Sequence, residues 1–416
     1  MPRRTCDSSG GRAAAGTPAA GIRRPARDRR RAAAQLDPRI AAERLLADAP
    51  TLARHVPGAA AAAPAAPALP PDGSLLMSAD RRRAYLVHRQ VGAGREAAIV
   101  AVALQGGDPF PGYEEEVGTA VMRFPFGGAA VAERERRLLA RPHPGLVRLL
   151  AAEPGPPPAL VLEQLAPHPL ARFGRVDPAT ALSGFVNLLE LVQGVHDELG
   201  VILCSIEPGN LMLRMPPDLE DAGYLGRLAS GAWEPALIDV GAALGPAELG
   251  EGGQPPLVAG DPLYLPPEAM PRFGKPGRYS RKTDTYALGL TLYEHLTGDR
   301  PYGRTDLFAR AGVDYVAELL ALKEKGTSPI NGLLLHERFE ADVAEDLLDL
   351  LRAALAPDPA QRRTPGELLD QCRATLRLVE RRPLVPTARY LYDGDLGLHI
   401  QQRRVPPSQD LAADYA

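Results

Sequence analysis

The chain has 416 residues, a formal net charge of -3, 45% hydrophobic residues and three cysteines. That length and apolar content suffice to bury a two-lobed core, whereas Cys6, Cys204 and Cys372 are too scattered for a disulfide framework or a zinc site, and the eight histidines lack close spacing. No apolar run approaches the roughly 20 residues of a membrane helix, and the start lacks the hydrophobic stretch of a secretory signal.

Residues 1–74 form an arm rich in Ala, Pro and Arg, expected to be mostly disordered. Its cluster Arg23-Arg24 and Arg27-Asp28-Arg29-Arg30-Arg31 has the charge to touch nucleic acid or anionic lipid. No aromatic residues interleave for base stacking, so a solvated tail is the preferred reading and nucleic acid is not an expected partner. Within the arm, Arg39 to His55 reads as one short helix with Leu45, Leu46 and Leu52 available to dock on the body.

The body is placed at residues 75–381, with a smaller lobe over about 80–163 and a larger one over about 166–381. The strand-like run Tyr85 to Val91 leads into Val91-Gly92-Ala93-Gly94-Arg95-Glu96-Ala97-Ala98-Ile99 and then the apolar run Ile99 to Leu104. A Gly- and Pro-containing insertion lies around 106–112. Strand Ala120-Val121-Met122-Arg123 follows, then an amphipathic helix from Ala130 to Ala140 carrying Glu135, and His143-Pro144-Gly145-Leu146-Val147. Leu146 to Ala151 and Ala159 to Leu165 complete the strands. Phe185, Leu188, Leu189, Val192 and His196 recur at helical spacing, with His196 read as a core histidine.

Four later segments stand in a telling order. They are Leu203-Cys204-Ser205-Ile206-Glu207-Pro208-Gly209-Asn210, Ile238-Asp239-Val240-Gly241, Gly260-Asp261-Pro262-Leu263-Tyr264-Leu265-Pro266-Pro267-Glu268 and Tyr279-Ser280-Arg281-Lys282-Thr283-Asp284-Thr285-Tyr286-Ala287-Leu288-Gly289. With Asp358-Pro359-Ala360-Gln361-Arg362, they resemble the catalytic loop H-R-D-x-K-P-x-N, the D-F-G turn, the activation-segment end G-T-P-x-Y-x-A-P-E, a bracing helix and the D-P-x-x-R stretch of the protein kinase superfamily. The 91–99 run is similar to the glycine-rich loop with Ala97 in place of the third glycine, and residues 120–123 resemble V-A-I-K with Arg123 in the lysine slot.

The resemblance implies an α+β, two-lobed protein kinase-like fold with a small β-rich lobe and a larger helical lobe. It implies a buried Arg362–Glu268 ion pair, Asp284 bracing the catalytic loop, and Glu163 to Leu165 as the hinge. Gly92, Gly94, Ile99, Arg123, Glu135, Glu163, Leu165, Asn210 and Asp239 become the cofactor-binding set, for ATP, with Asn210 and Asp239 as magnesium ligands.

Departures bear on the chemistry. Phosphoryl transfer rests on positioning, metal and charge, yet Ser205 stands where the catalytic aspartate belongs and Glu207 where most serine/threonine kinases keep a lysine. A neutral hydroxyl is no general base unaided, and Arg is not an equivalent phosphate ligand to Lys. Between Ala242 and Leu265, Tyr264 is the only hydroxyl, which argues against switching by loop phosphorylation. Asp261, in the threonine place of G-T-P, keeps a carboxylate in the cleft. It is either an unconventional base with its pKa raised by Glu207, or a turn cap or partner of Ser205.

Three classes stay open. The preferred one is a pseudokinase acting as a signalling or regulatory scaffold, with ATP and magnesium bound weakly or not at all. The others are a divergent serine/threonine kinase using Asp261 or Glu207, and a kinase-fold nucleotidyl transferase. Met212 to Pro235 is longer than the usual hairpin, and its Trp233 reads as either packing or partner-facing. In the tail, residues 382–416, Tyr390-Leu391-Tyr392 is a candidate latch, and Asp393-Gly394-Asp395 reads as a surface turn because a closing calcium-loop glutamate is missing. A bacterial, cytoplasmic protein with a protein partner is the plain expectation; the sequence leaves that partner's identity and the oligomeric state undetermined.

Overall fold

A computed structural model of the chain describes residues 38–48, 56–58, 68–93, 97–108, 110, 118–126, 128–165, 176–214, 227, 230, 233–249, 260–271, 277–380, 388–393 and 397–402. The basic cluster, Leu52, Gly94, most of the 212–235 insertion and Gly394-Asp395 of the Asp-Gly-Asp turn lie outside these residues.

The small lobe is a six-stranded antiparallel sheet. Strands β1 (Leu75–Met77), β2 (Arg83–Ala93), β3 (Ala97–Gly107), β4 (Thr119–Pro125), β5 (Leu149–Glu153) and β6 (Ala159–Glu163) lie in the order β1-β2-β3-β4-β6-β5. Val87, Val100, Val102, Met122 and Val161 face one buried layer, as period-two alternation of β-branched and apolar residues requires. Helix α2 (Gly128–Leu139) carries Glu135 to this sheet. The predicted helix and strands are all present, and β1, three residues long, is an addition to them.

The large lobe is helical. Helix α3 (Pro178–Gly194) starts at Asp177, whose side chain accepts the Thr180 N–H, and runs into a π-helical turn, Val195–Leu199. Next come the hairpin strands β7 (Leu211–Arg214) and β8 (Glu234–Leu237), and helices α4 (Arg281–Thr297), α5 (Gly312–Glu324), α6 (Gly332–Arg338), α7 (Ala341–Leu355) and α8 (Pro365–Glu380). Almost every residue of α4 from Thr283 onward is buried. A helix covered on all sides is a lobe's central pillar; Ser280 caps its start in a capping box and left-handed Gly298 ends it. Trp233 belongs to this core: it is 6% exposed and its ring lies against Gly184 of α3, where a Cβ would come within 2.6 Å of it.

Ahead of the small lobe, helix α1 (Pro38–Asp48) packs on α5. Ala42, Leu45 and Val56 are buried in one cluster with Leu263, Leu265, Tyr315, Val316 and Leu319, and the Gly312 N–H donates to the Pro57 carbonyl at 2.7 Å. The short helix read from the sequence therefore docks through Leu45, with Leu46 half-buried beside it. Near the end of the chain, β9 (Ala388–Asp393) and β10 (Gly397–Gln402) pair antiparallel, which places Tyr390–Tyr392 in a hairpin strand. Among the described residues no helix is long and apolar enough to cross a membrane.

Candidate functional site

Between the lobes lies a cavity of about 540 Å³, within the range of small-molecule sites. Val91 of β2, Ala97 and Ile99 of β3 and Val121 of β4 line it from the small lobe, Glu163 to Leu165 from the segment joining the lobes, and Met212 and Ile238 from the hairpin side. Arg123, Ser205, Glu207, Asn210, Asp239 and Asp261 line its polar end. Of the site residues read from the sequence, Ile99, Arg123, Glu163, Leu165, Ser205, Glu207, Asn210, Asp239 and Asp261 thus share one cavity. Glu135 stands behind Arg123, and Gly92 lies in β2 opposite Ile99.

Asp284, fully buried in α4, shapes the loop at 203–210. Its carboxylate accepts the Leu203 N–H at 2.7 Å and the Cys204 N–H at 2.8 Å, and His196 Nε2 lies 2.7 Å from it. Those contacts hold Cys204 at φ 61°, an uncommon and costly conformation for a residue with a side chain. Gly260, at φ +87°, brings its backbone against the Cys204 carbonyl so closely that a Cβ would sit 1.9 Å from that oxygen. Only glycine permits this approach, and it sets Asp261 beside Ser205 at the cavity wall. Burial pushes the Cys204 thiol well above its usual range, so the thiol is held neutral.

Ser205 turns inward. Its hydroxyl donates to the Asp239 carbonyl at 2.6 Å, with the Leu203 carbonyl at 3.3 Å, and the residue is 7% exposed. Asn210 Nδ2 donates to the Ser205 carbonyl at 3.0 Å. The Asp261 carboxylate accepts the Leu263 N–H at 2.8 Å, and its carbonyl accepts the N–H groups of Tyr264 and Leu265. That is the turn-capping arrangement.

Arg123 joins both lobes. One arm of its guanidinium donates to both oxygens of Glu135 at 2.8 Å, and the other stands 2.8 Å from Asp239 Oδ2, with the residue 4% exposed. The second oxygen of Asp239 accepts the Gly241 N–H at 3.0 Å. One oxygen of the carboxylate that resembles a metal ligand is thus ion-paired with Arg123 and the other accepts the Gly241 N–H. Among the described residues no cluster of three His, Cys, Asp or Glu side chains gathers for a metal. Asp239 and Asn210, both lining the cavity, are the pair whose side-chain oxygens would hold magnesium, a hard cation bound through oxygen ligands.

Three partnerships carry no signal in the local sequence. Glu163, the first residue of the joining segment, has its carboxylate gripped by Arg148 at 2.8 Å and by Arg214 of β7 at 2.5 Å. Arg134 of α2 donates to the Gly241 carbonyl. Lys323 of α5 is buried and donates to the carbonyls of Leu263 and Leu265, pinning the segment that follows Asp261. Burial lowers the Lys323 pKa to about 7 and raises that of Glu294, which accepts the Tyr264 hydroxyl at 2.6 Å, to about 7. Each arginine contact joins elements distant in sequence, and Lys323 looks in sequence like an exposed helix lysine.

On the far side of the loop, Arg362 is 1% exposed and makes two contacts to Glu268, at 2.6 and 3.2 Å, over the Tyr286 ring. The expected buried pair is formed.

A family model for the protein kinase domain matches residues 132–372, more than half of the chain. The chain belongs to the protein kinase superfamily. Its kinase domain is 29% identical over 283 residues to the serine/threonine-protein kinase PknK of Mycobacterium tuberculosis, covering 66% of this chain and 22% of that protein. It is 26% identical over 230 residues to the serine/threonine-protein kinase ATG1 of Pichia angusta, covering 55% and 24%. Against the mouse serine/threonine-protein kinase ULK4 the figures are 26% over 181 residues, covering 42% and 13%. The chain thus spans about a quarter or less of the length of these relatives.

Proposed function

We propose that this kinase-superfamily protein is a pseudokinase, a folded module that acts by binding a protein partner and does not transfer phosphoryl groups. The observation that carries the reading is the inward Ser205 hydroxyl, which donates to the Asp239 backbone carbonyl at 2.6 Å. A general base must face the proton it removes and have a suitable pKa; this hydroxyl faces the protein and is neutral at pH 7. Glu207 adds an anion to the cleft lining in the position where the resembling loops carry a lysine. Arg123, the cation in the phosphate-binding lysine's place, is held by Glu135 and Asp239.

Asp261 supports a second reading, a divergent serine/threonine kinase, because it is a buried carboxylate lining the same cavity. Against it, the carboxylate accepts the Leu263 N–H and so helps hold the turn. Transfer of label from γ-labelled ATP to the full chain and to a mixed panel of serine/threonine peptides tests both. No transfer above a no-protein control is expected. Transfer that persists in Ser205→Ala and disappears in Asp261→Ala would establish the second reading in place of the first.

A further inference from the structure

We propose that the large lobe holds a second ligand site, away from the interlobe cleft, that takes a small organic carboxylate with an apolar body. The site is a cavity of about 300 Å³ among α4, α5 and α7, and it stands independently of how the cleft is read.

The lining has the chemistry that suits an anion with a hydrocarbon end. Pro267, Ile330, Leu355 and Pro357 supply apolar wall, Tyr286 and Tyr302 supply aromatic faces, and Lys323 and Arg352 supply the charge. Among the described residues no aspartate or glutamate lines it. Two cations without a carboxylate repel positive ligands and attract negative ones, and the apolar remainder rewards an anion that brings its own hydrocarbon. The volume lies at the small end for ligand sites, which favours a compact monocarboxylate over a long lipid chain.

Lys323 makes this cavity more than a packing gap. It is 4% exposed, yet no carboxylate among the described residues pairs with it. Asp261 and Glu268, whose charges reach it, are held by the Leu263 N–H and by Arg362. The Leu263 and Leu265 carbonyls account for two of the three donors of its ammonium. Its Nζ lies 5.6 Å from the ring centroids of both Tyr286 and Tyr302, the two rings that line the cavity. Burial without a counter-ion disfavours the charged form and lowers the pKa to about 7. A carboxylate in the cavity would take the third donor and favour the ammonium again. Arg352, by contrast, is exposed and pairs with Asp349 and Glu345 of its own helix, contacts weak enough in water to give way to a ligand. Tyr302 adds a third sign. It sits at φ 60°, its N–H donating to the Pro329 carbonyl at 2.8 Å, and left-handed backbone at a residue with a large side chain gathers at ligand sites.

Titration calorimetry on the full chain with octanoate, octan-1-ol and octylammonium tests the assignment, since the three share one hydrocarbon body and differ in charge. Octanoate is expected to bind saturably and at least about tenfold more tightly than octan-1-ol, with octylammonium the weakest of the three. Equal affinities for octanoate and octan-1-ol, octylammonium binding as tightly as octanoate, or no saturable octanoate binding would overturn the proposal. Lys323→Met locates the site: octanoate should fall to the affinity of octan-1-ol, which itself stays unchanged. That substitution also removes the donors to Leu263 and Leu265, so Arg352→Glu, at an exposed position, supplies an arm free of that pin. It is expected to keep the parent's thermal unfolding midpoint and to bind octanoate several-fold more weakly. Unchanged octanoate affinity in Arg352→Glu would count against the proposal, whether or not Lys323→Met folds.

Discussion

Two regions that meet at residues 203–210 have fared differently. Behind the loop, Asp284 with His196 and Glu268 with Arg362 form the buried contacts expected of a kinase large lobe. In front of it, the positions that would perform chemistry hold Ser205, Glu207 and Arg123, and the Ser205 hydroxyl and the Arg123 guanidinium are turned to the protein's own backbone and carboxylates. The difference separates what the loop needs to keep its shape from what it needs to act. Cys204 keeps its positive φ because Asp284 accepts two successive N–H groups there, and nothing in that constraint depends on which side chain occupies position 205.

The comparison breaks most visibly if the rear framework is cut. Arg362→Met leaves Glu268 without its bidentate partner beneath α4 and removes the donors to the Ala356 and Lys282 carbonyls. Loss of one member of a buried pair costs roughly 3–5 kcal/mol, so urea unfolding should show a shift of that size, or no stable fold at all. A change below about 1 kcal/mol would mean that the framework is not structural.

The seam between the regions is sharpened by pH. Glu294 has a folded pKa of about 7 against 4.5 for an unperturbed carboxyl, both Glu294 and Lys323 being displaced chiefly by burial. The folded state therefore binds more protons between pH 4.5 and 7, and stability falls as pH rises through that window. Lys323, at about 7 folded against 10.5, works in the opposite sense: the unfolded state binds more protons between 7 and 10.5, and stability rises with pH there. Each contributes a slope of at most about 1.4 kcal/mol per pH unit. Glu294→Gln should flatten the acid limb and Lys323→Met the alkaline limb of a stability–pH curve; unchanged limbs would place these groups in wetter surroundings than the structure shows.

The smallest effect is expected at Ser205. Ser205→Ala removes one hydrogen bond to the Asp239 carbonyl and should cost about 1 kcal/mol, measured by thermal unfolding, with no change in nucleotide turnover. A wholesale loss of fold would place Ser205 with the rear framework instead.

How much of this was legible in the sequence follows the same division. The segments around Asp284, Glu268 and Arg362 could be read in order because each carries a local signature, and the helical stripe ending at His196 placed that residue in the core. Its bond to Asp284 joins residues 88 positions apart, a distance no periodicity reports. At the front, the substitutions at positions 205, 207 and 123 were plain, and Arg123 and Glu135 were both read as site residues. The reach of Arg123 across the cleft to Asp239 was not legible, because it depends on how the lobes bring β4 and the 238–241 turn together. Lys323 escaped notice since a lysine near a helix end is ordinarily solvated, and only the backbone at Leu263 and Leu265 makes its burial tolerable. Strand β1 is too short for alternation to register.

The most direct test of a kept framework around an altered centre is γ-phosphoryl transfer by the parent chain set beside a variant carrying Ser205→Asp, Glu207→Lys and Arg123→Lys together. The account predicts no transfer by the parent and measurable transfer by the triple variant, since the loop geometry and its Asp284 brace are already in place. Transfer by the parent at a rate equal to that of the variant would contradict it.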